Sequence, residues 1–202
     1  LLSFDQERSK DRGLLAGVDE AGRGCWAGPV VAAAVILPPD WCPEGLNDSK
    51  KLSAARREDL CRLILASALS WGACAVSARE IDQVNILQAT LKAMRRSLLK
   101  LRPLPDLVLV DGLQVPVFSA PCEAVVKGDA TSASIAAASI LAKVFRDRVM
   151  VAFDRHFPDY GFAGHKGYGA RVHREAIERH GPCLLHRLSY RPLSELDQGL
   201  LF

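Results

Sequence analysis

Three short apolar runs in this chain end at or beside a carboxylate. Leu14 to Asp19 runs into the pair Asp19-Glu20, Leu107 to Val110 stops at Asp111-Gly112, and Glu123 to Val126 is followed closely by Asp129. Each run has the length and aliphatic content of a strand. In an open α/β sheet, strand ends are where ligands bind. Carboxylates gathered there repel one another and raise at least one pKa, a conflict that a bound divalent cation removes. Magnesium takes a few carboxylates, with waters and substrate phosphate completing its octahedron. Two such ions about 3.5–4 Å apart activate water and stabilise the leaving oxygen in phosphodiester cleavage. No histidine lies near these acids in sequence, which fits hard, oxygen-liganded ions better than zinc. Taken singly, a strand-end acid is more often a solvated turn residue, and Asp111-Gly112 is itself a turn signal. Spacing alone leaves both readings open.

Directly after the first acid pair comes Gly22-Arg23-Gly24-Cys25-Trp26-Ala27, which fits G-x-G-x-x-A. A dinucleotide fingerprint needs a helix after its glycines, whereas Pro29 and a β-rich run follow here. What remains is a glycine-rich turn carrying one arginine, whose backbone can approach a ligand closely, or a tight turn with a surface arginine.

The elements that must position these residues alternate along the chain. Pro29 to Leu37 reads as a second, buried strand, and Trp71 to Val76 as a third. Ser53 is placed to cap a helix reaching about Ala68, and Ser77-Ala78-Arg79-Glu80 has capping-box spacing ahead of helical sequence reaching about Leu101. Thr131 to Phe157 is the longest helical candidate, and Ala170 to His180 is a short one closed by Gly181-Pro182. A hairpin followed by alternating strands and helices predicts a mixed α/β sheet flanked by helices. Residues 1–157 would form the catalytic core. Residues 158–202 would add a C-terminal helical, substrate-contacting segment and tail within one integrated domain.

The 202 residues suffice for one such domain with a real core. Hydrophobic residues make up 49% and charged residues 24%, which excludes disorder. The net charge of +3 is too small to argue for nucleic acid by itself. Its distribution says more, because residues 143–191 hold ten Lys/Arg, five Asp/Glu and all five His. The six cysteines form no CxxC pair and read as reduced, mostly buried thiols of a cytoplasmic protein. The charged N-terminus is unlike a signal peptide, and no apolar stretch reaches membrane-spanning length.

Ordered motifs bring these observations to a family. Asp19-Glu20-Ala21-Gly22-Arg23-Gly24 is followed by Gly28-Pro29-Val30-Val31, then by Leu46-Asn47-Asp48-Ser49-Lys50-Lys51-Leu52-Ser53 and Val110-Asp111-Gly112. Lys127-Gly128-Asp129 precedes Ser134 to Lys143 (SIAAASILAK), and Tyr160-Gly161-Phe162 precedes His165-Lys166-Gly167-Tyr168-Gly169. Over residues 14–192 the chain resembles the type 2 ribonucleases H, specifically bacterial ribonuclease HII. The resemblance implies a ribonuclease H-like, mixed five-stranded sheet flanked by helices, with a small C-terminal helical segment. It implies cleavage of the RNA strand of RNA–DNA hybrids, and of single ribonucleotides embedded in duplex DNA, by two Mg²⁺ or Mn²⁺ ions. The cut would fall on the 5′ side of an embedded ribonucleotide and leave 3′-hydroxyl and 5′-phosphate ends. The family's catalytic, metal-binding carboxylates fall on Asp19, Glu20, Asp111 and Asp129. Its 2′-hydroxyl-sensing turn falls on Gly22, Arg23 and Gly24, and the tyrosine beside the ribose–deoxyribose junction on Tyr168. Cys25 stands where proline is expected. Arg23 rather than Lys, and the 13 residues before the first strand, favour the HII over the HIII subgroup.

Physical chemistry runs parallel to that resemblance. A 2′-hydroxyl is what separates RNA from DNA at one position, and glycine backbone reaches it without obstruction. Lys50, Lys51, Lys143, Arg146 and Lys166 are candidate phosphate contacts, or else solvated basic residues. Asp147 reads as a helix-surface acid. The histidines show no i,i+4 pair and no HExxH, which argues against zinc; His165 and His186 read as structural or phosphate-side donors. The last five residues, Gln198 to Phe202, resemble a Gln-x-x-Leu-Phe sliding-clamp peptide. Gln198 would be the hydrogen-bonding pin and Leu201 and Phe202 the apolar anchors; the alternative is a tail folded on its own domain. A non-catalytic hybrid-binding module would lack one of the acids, and all four are present. A different two-metal nuclease or strand-transfer enzyme would not need the Gly22–Gly24 turn or Tyr168. The expected state is a monomer with no membrane association.

Overall fold

A computed structural model of the chain describes residues 1–46, 49 and 52–196. Five strands, β1 (Leu15–Ala21), β2 (Val30–Ile36), β3 (Ser70–Val76), β4 (Leu107–Asp111) and β5 (Cys122–Val125), form one sheet in the order β3-β2-β1-β4-β5. The β1–β2 and β2–β3 pairs are antiparallel, and β1–β4 and β4–β5 are parallel. The mixed five-stranded sheet is therefore the expected one. β2 (Val-Val-Ala-Ala-Ala-Val-Ile) is buried along its whole length, as a central strand covered on both faces must be.

Seven α-helices accompany the sheet among the described residues: α1 (Leu2–Ser9), α2 (Ala54–Ser67), α3 (Ala78–Leu98), α4 (Ala133–Asp154), α5 (Phe162–His165), α6 (Arg171–His180) and α7 (Leu193–Leu196). Alternation sorts the strands onto two faces. Ala16, Val18, Val30, Ala32, Val108 and Val110 pack with Ile81, Ala89, Ala93 and Met94 of α3. On the other face, Ala33 and Val35 pack with Leu60 and Ile64 of α2 and with α4. α4 lies unusually close to β1: a Cβ on Gly17 would sit 2.0 Å from the Ser134 carbonyl carbon. The small residues of Ala133 to Ala138 allow that approach.

The expected boundaries shift in informative ways. β1 continues through Asp19 and Glu20 to Ala21, because Ala21 still pairs with Val31 of β2. The acids are thus held by strand backbone and do not hang from its end. The single helix expected over 77–101 breaks at Asn85, which has φ 67° and ψ 164°. The Asn85 side chain then accepts from Gln88 N–H at 3.1 Å and caps the second half. α4 is shorter at both ends than expected and starts at a Ser132 cap whose side chain accepts from Ile135 N–H. The helix α1 was not expected. It is charged and weakly amphipathic, and tertiary contacts fix it: the Asp5 carboxylate accepts from Ser134 N–H at 2.7 Å, at the start of α4.

After α4 the chain continues as a 3₁₀ turn (Pro158–Tyr160), α5, α6 and α7. Tyr160, Phe162, Ala176, Ile177 and Leu193 pack there against Ala27 and Met150. This cluster seats the C-terminal segment against the turn that follows β1.

Candidate active site

Parallel pairing brings the first two acids together. Val18 of β1 is in register with Val110 of β4, so Asp19 and Asp111, the next residue on each strand, lie side by side. β5 then leads to Lys127, whose left-handed backbone (φ 55°) turns the chain into the 3₁₀ turn Gly128–Ala130 carrying Asp129. The Gly128 N–H donates to Asp111 Oδ1 at 2.7 Å and ties this turn to β4. One carboxylate oxygen each from Asp19, Asp111 and Asp129 lies within 4.8 Å of the others.

Asp19 is only 5% exposed, and Asp129 is buried as well. The Glu20 N–H donates to Asp19 Oδ1 at 2.7 Å, and the Ser139 hydroxyl of α4 lies near enough to favour the charged form of the same carboxylate. Burial and then the neighbouring Glu20 and Asp111 carboxylates nevertheless push the Asp19 pKa well above the ordinary range. Three hard oxygen donors around one point, with one held against its own charge, suit a divalent cation. Glu20 follows Asp19 on the strand and points to the opposite face. It is not one of the three converging acids and instead meets Arg23 at 3.4 Å. Both line a pocket of about 330 Å³ beside Asp111.

The turn from Gly22 to Gly28 is held from behind by two fully buried arginines. Arg187 donates to the carbonyls of Gly22 (2.7 Å), Arg23 (2.8 Å) and Gly28 (2.9 Å). Arg146 donates to those of Ala27 (3.0 Å), Pro29 (2.9 Å) and Lys166 (2.9 Å). Tyr190 adds its hydroxyl to the Arg23 carbonyl at 2.8 Å. Gly22 has φ 92°, and a Cβ there would overlap Arg146 Nε at 1.9 Å, whereas a Cβ on Gly24 would meet open space. The turn is therefore packed tightly on its inner side and open on its outer side. Cys25, in the expected proline position, is fully buried, and the arginines supply the stiffness.

Arg146 therefore needs correction as a candidate phosphate contact. Its guanidinium is sequestered by backbone carbonyls and presents no surface to a duplex. Lys143 and Lys166 do line an open groove of about 540 Å³, together with Arg57, Arg148 and Tyr168. Lys143 pairs with Asp147 at 2.8 Å and stands 5.3 Å from the Tyr168 ring centroid. Lys166 Nζ donates to the Ala163 carbonyl. Tyr168 is 43% exposed, and the carbonyl of the preceding Gly167 accepts from Trp26 and Ala27 N–H, so the tyrosine sits beside the glycine turn. Lys50, Lys51, Gln198, Leu201 and Phe202 lie outside the described residues.

Sequence reasoning missed Ser139, the inward role of Arg187 and Tyr190 on the turn's carbonyls, and the meeting of His165, His173 and His186. Their partners lie far off in the chain, and no local spacing marks them.

A family model described as Ribonuclease HII matches residues 16–192. The ribonuclease HII of Rhizobium johnstonii is 59% identical over 186 residues, covering 92% of this chain and 81% of that one. Among solved structures, the ribonuclease H2 of Pyrococcus horikoshii superposes with a TM-score of 0.76 at 25% identity, covering 92% of this chain and 98% of that chain. The structure of the PCNA:RNase HII complex from Archaeoglobus fulgidus matches with a TM-score of 0.69 at 28% identity, covering 88% of this chain and 95% of that one. Sheet order, acid cluster and structural neighbours define a metal-dependent nuclease of ribonuclease H-like fold. The chain belongs to the ribonuclease HII family, whose activity is cleavage of RNA in RNA–DNA hybrids.

Two outcomes follow from this geometry. A carboxyl with a raised folded-state pKa favours the fold when protonated, and costs stability as pH rises through that pKa. Without metal, Asp19→Asn should therefore melt above the parent at pH 7–8, at about 2–4 °C per kcal/mol relieved, and the gap should close on acidification towards pH 4. Thermal melts in chelator check this, and a lower melting point for the variant would contradict it. Arg187→Met strips the Gly22 and Gly28 carbonyls of their side-chain donor, leaves that of Arg23 to Tyr190 alone, and should lose about 3–5 kcal/mol in urea denaturation. A loss below about 1 kcal/mol would show the turn to be held by other means.

Proposed function

We propose that this ribonuclease HII recognises a single ribonucleotide embedded in duplex DNA as well as longer hybrids, and cuts on its 5′ side to leave 3′-hydroxyl and 5′-phosphate ends. The observation that carries the reading is the placement of the Gly22–Gly24 turn between the acid cluster and Tyr168. Asp19, Asp111 and Asp129, with Glu20, would hold two Mg²⁺ or Mn²⁺ ions. When bound, such ions supply Lewis-acid stabilisation and an activated water.

The chain's own groups supply selection. Backbone at Gly22 to Gly24, open on its outer side, meets the 2′-hydroxyl that only a ribonucleotide carries. Arg23 stands ready for a neighbouring phosphate. The exposed face of Tyr168 packs on the sugar that follows. Lys143 and Lys166 hold the duplex by its backbone along the groove, a contact that positions without reading sequence. Lys50 and Lys51 are assigned the same role.

The test uses a duplex with one embedded ribonucleotide, beside all-DNA and all-hybrid controls. Asn at Asp19, Asp111 or Asp129 should lower turnover by more than the ~100-fold that loss of a ligand's supporting hydrogen bond costs. Tyr168→Ala should lower cleavage of the embedded ribonucleotide on the order of tenfold more than cleavage of the hybrid, which offers several registers. Equal loss on both substrates would count against a junction role.

The tail Gln198–Phe202 is assigned to a sliding clamp, with Gln198, Leu201 and Phe202 as its contacts. The complex of the archaeal relative with PCNA supports that kind of partner. Removing residues 198–202 should abolish clamp binding and leave cleavage of a short duplex within about twofold of the parent, a change too small to signal a lost contact. Undiminished clamp affinity after truncation would end this assignment.

A further inference from the structure

Behind Tyr168 the C-terminal segment packs three histidine rings against one another. The His165 and His173 rings stack with centroids 4.3 Å apart, and the His173 and His186 rings lie 5.2 Å apart. His173 and His186 are both buried. Trp26, Phe162 and Tyr160 pack around them, with centroids 5.0–5.6 Å away. The metal centre uses none of these rings, yet every ring nitrogen has a partner.

These partners determine where each proton sits. His173 Nδ1 faces the Tyr168 carbonyl at 2.8 Å. A carbonyl only accepts, so Nδ1 carries the hydrogen and, in a neutral ring, Nε2 is a lone pair. His186 Nε2 lies 3.1 Å from that lone pair and must be the donor. His186 Nδ1 is then an acceptor: the Cys183 N–H donates to it at 2.9 Å, nearer than the Cys183 carbonyl at 3.3 Å. His165 completes the set: its Nε2 faces the Tyr160 carbonyl at 2.8 Å, and its Nδ1 accepts from Gly167 N–H at 3.1 Å. Its own carbonyl accepts from Tyr168 N–H at 2.9 Å. Both backbone polar groups of Tyr168 therefore meet the stacked pair His165–His173, the carbonyl also accepting from Ala170 N–H at 2.8 Å.

We propose that Cys183 N–H, His186, His173 and the Tyr168 carbonyl form a one-directional relay of neutral histidines, in which His173 and His186 are positioning residues that set the tyrosine for the ribose junction. The proposal rests on the reading of Tyr168 given above. A chain of donors running one way has a single satisfied arrangement, so it fixes the loop more narrowly than packing alone would. A second proton on either ring would remove an acceptor and break a link. Burial opposes that proton and pushes both pKa values down to about 4, so the relay is intact at neutral pH.

Two measurements on the full chain test the proposal. Imidazole nitrogen chemical shifts at pH 7 should show His173 protonated at Nδ1, and His165 and His186 at Nε2. A His173 protonated at Nε2, or charged, would overturn the relay. Kinetics then test the positioning role. His186→Leu removes the donor to His173 and should raise KM for the embedded ribonucleotide about three- to tenfold, with kcat and hybrid cleavage little changed. His186→Gln places an amide N–H near the lost Nε2–H and should recover most of that loss. Equal loss on both substrates, or no difference between Leu and Gln, would overturn positioning. The expected tautomers together with an unselective Tyr168→Ala would place the failure in the reading of Tyr168, leaving the relay as a loop anchor and ending its claim on specificity.

Discussion

Two buried guanidinium groups with backbone carbonyls as their acceptors are the constraint on which the site depends. Arg146 comes from α4 and Arg187 from the C-terminal segment. Between them they take up the carbonyls of Gly22, Arg23, Ala27, Gly28 and Pro29. A turn this tight has no ladder to satisfy its carbonyls, and buried polar groups left unpaired cost free energy. Arginine suits the task because its planar fork presents five donors and keeps its charge when desolvated. Burial lowers the Arg187 pKa, but from so high a starting point that the group stays cationic. The arginines lock the turn from its inner side, and its outer face remains free for a ligand.

The acid cluster shows the opposite economy. Its carboxylates are brought together by strand register and by one turn tied through Gly128 N–H, and Asp19 is buried at a cost shown by its raised pKa. The rest of the fold absorbs that cost. Gly17 lets α4 lie against β1, which brings the Ser139 hydroxyl near the Asp19 carboxylate. The Ser139 hydroxyl in turn meets Ser49 at 2.8 Å. A site built on adjacent strands and a close-packed helix keeps its donors in place before a cation arrives, as preorganised electrostatics requires.

Much of this was legible in the sequence because it is local. The continuous aliphatic runs at 30–36 and 107–110 have the length and composition of covered strands, and Ser53 and Ser77 stand as caps where helices begin. The acids were found because each follows such a run. What escaped depends on contacts distant in sequence. Nothing in the first dozen residues marks α1, since its anchor is Ser134, 129 positions away. Arg146 looked like a phosphate contact because a helix arginine in a basic segment usually faces solvent; only the folded turn supplies the carbonyls that bury it. The break at Asn85 was readable in principle, as Asn85 and Gln88 have the spacing of a cap, but the continuous helical pattern around them masked it.

Positioning also decides how the C-terminal segment should be understood. Gly167 accepts from both Trp26 N–H (2.9 Å) and Ala27 N–H (3.3 Å), Arg187 N–H donates to the Trp26 carbonyl at 2.8 Å, and Ala27 bridges to His186. The turn after β1 is thus sandwiched between the tyrosine loop and the segment around Arg187, joined to both by main-chain hydrogen bonds. Displacing either would strip the turn of its partners along with its packing against Phe162, Ile177 and Leu193. The residues that would sense ribose therefore come from two distant stretches of chain, 22–24 and 168, but belong to one rigid unit. On the proposed reading, rigidity there would have a chemical purpose. Discriminating one hydroxyl demands that polar groups be held where only the correct sugar satisfies them, because a yielding site would accommodate the deoxyribose analogue at little cost.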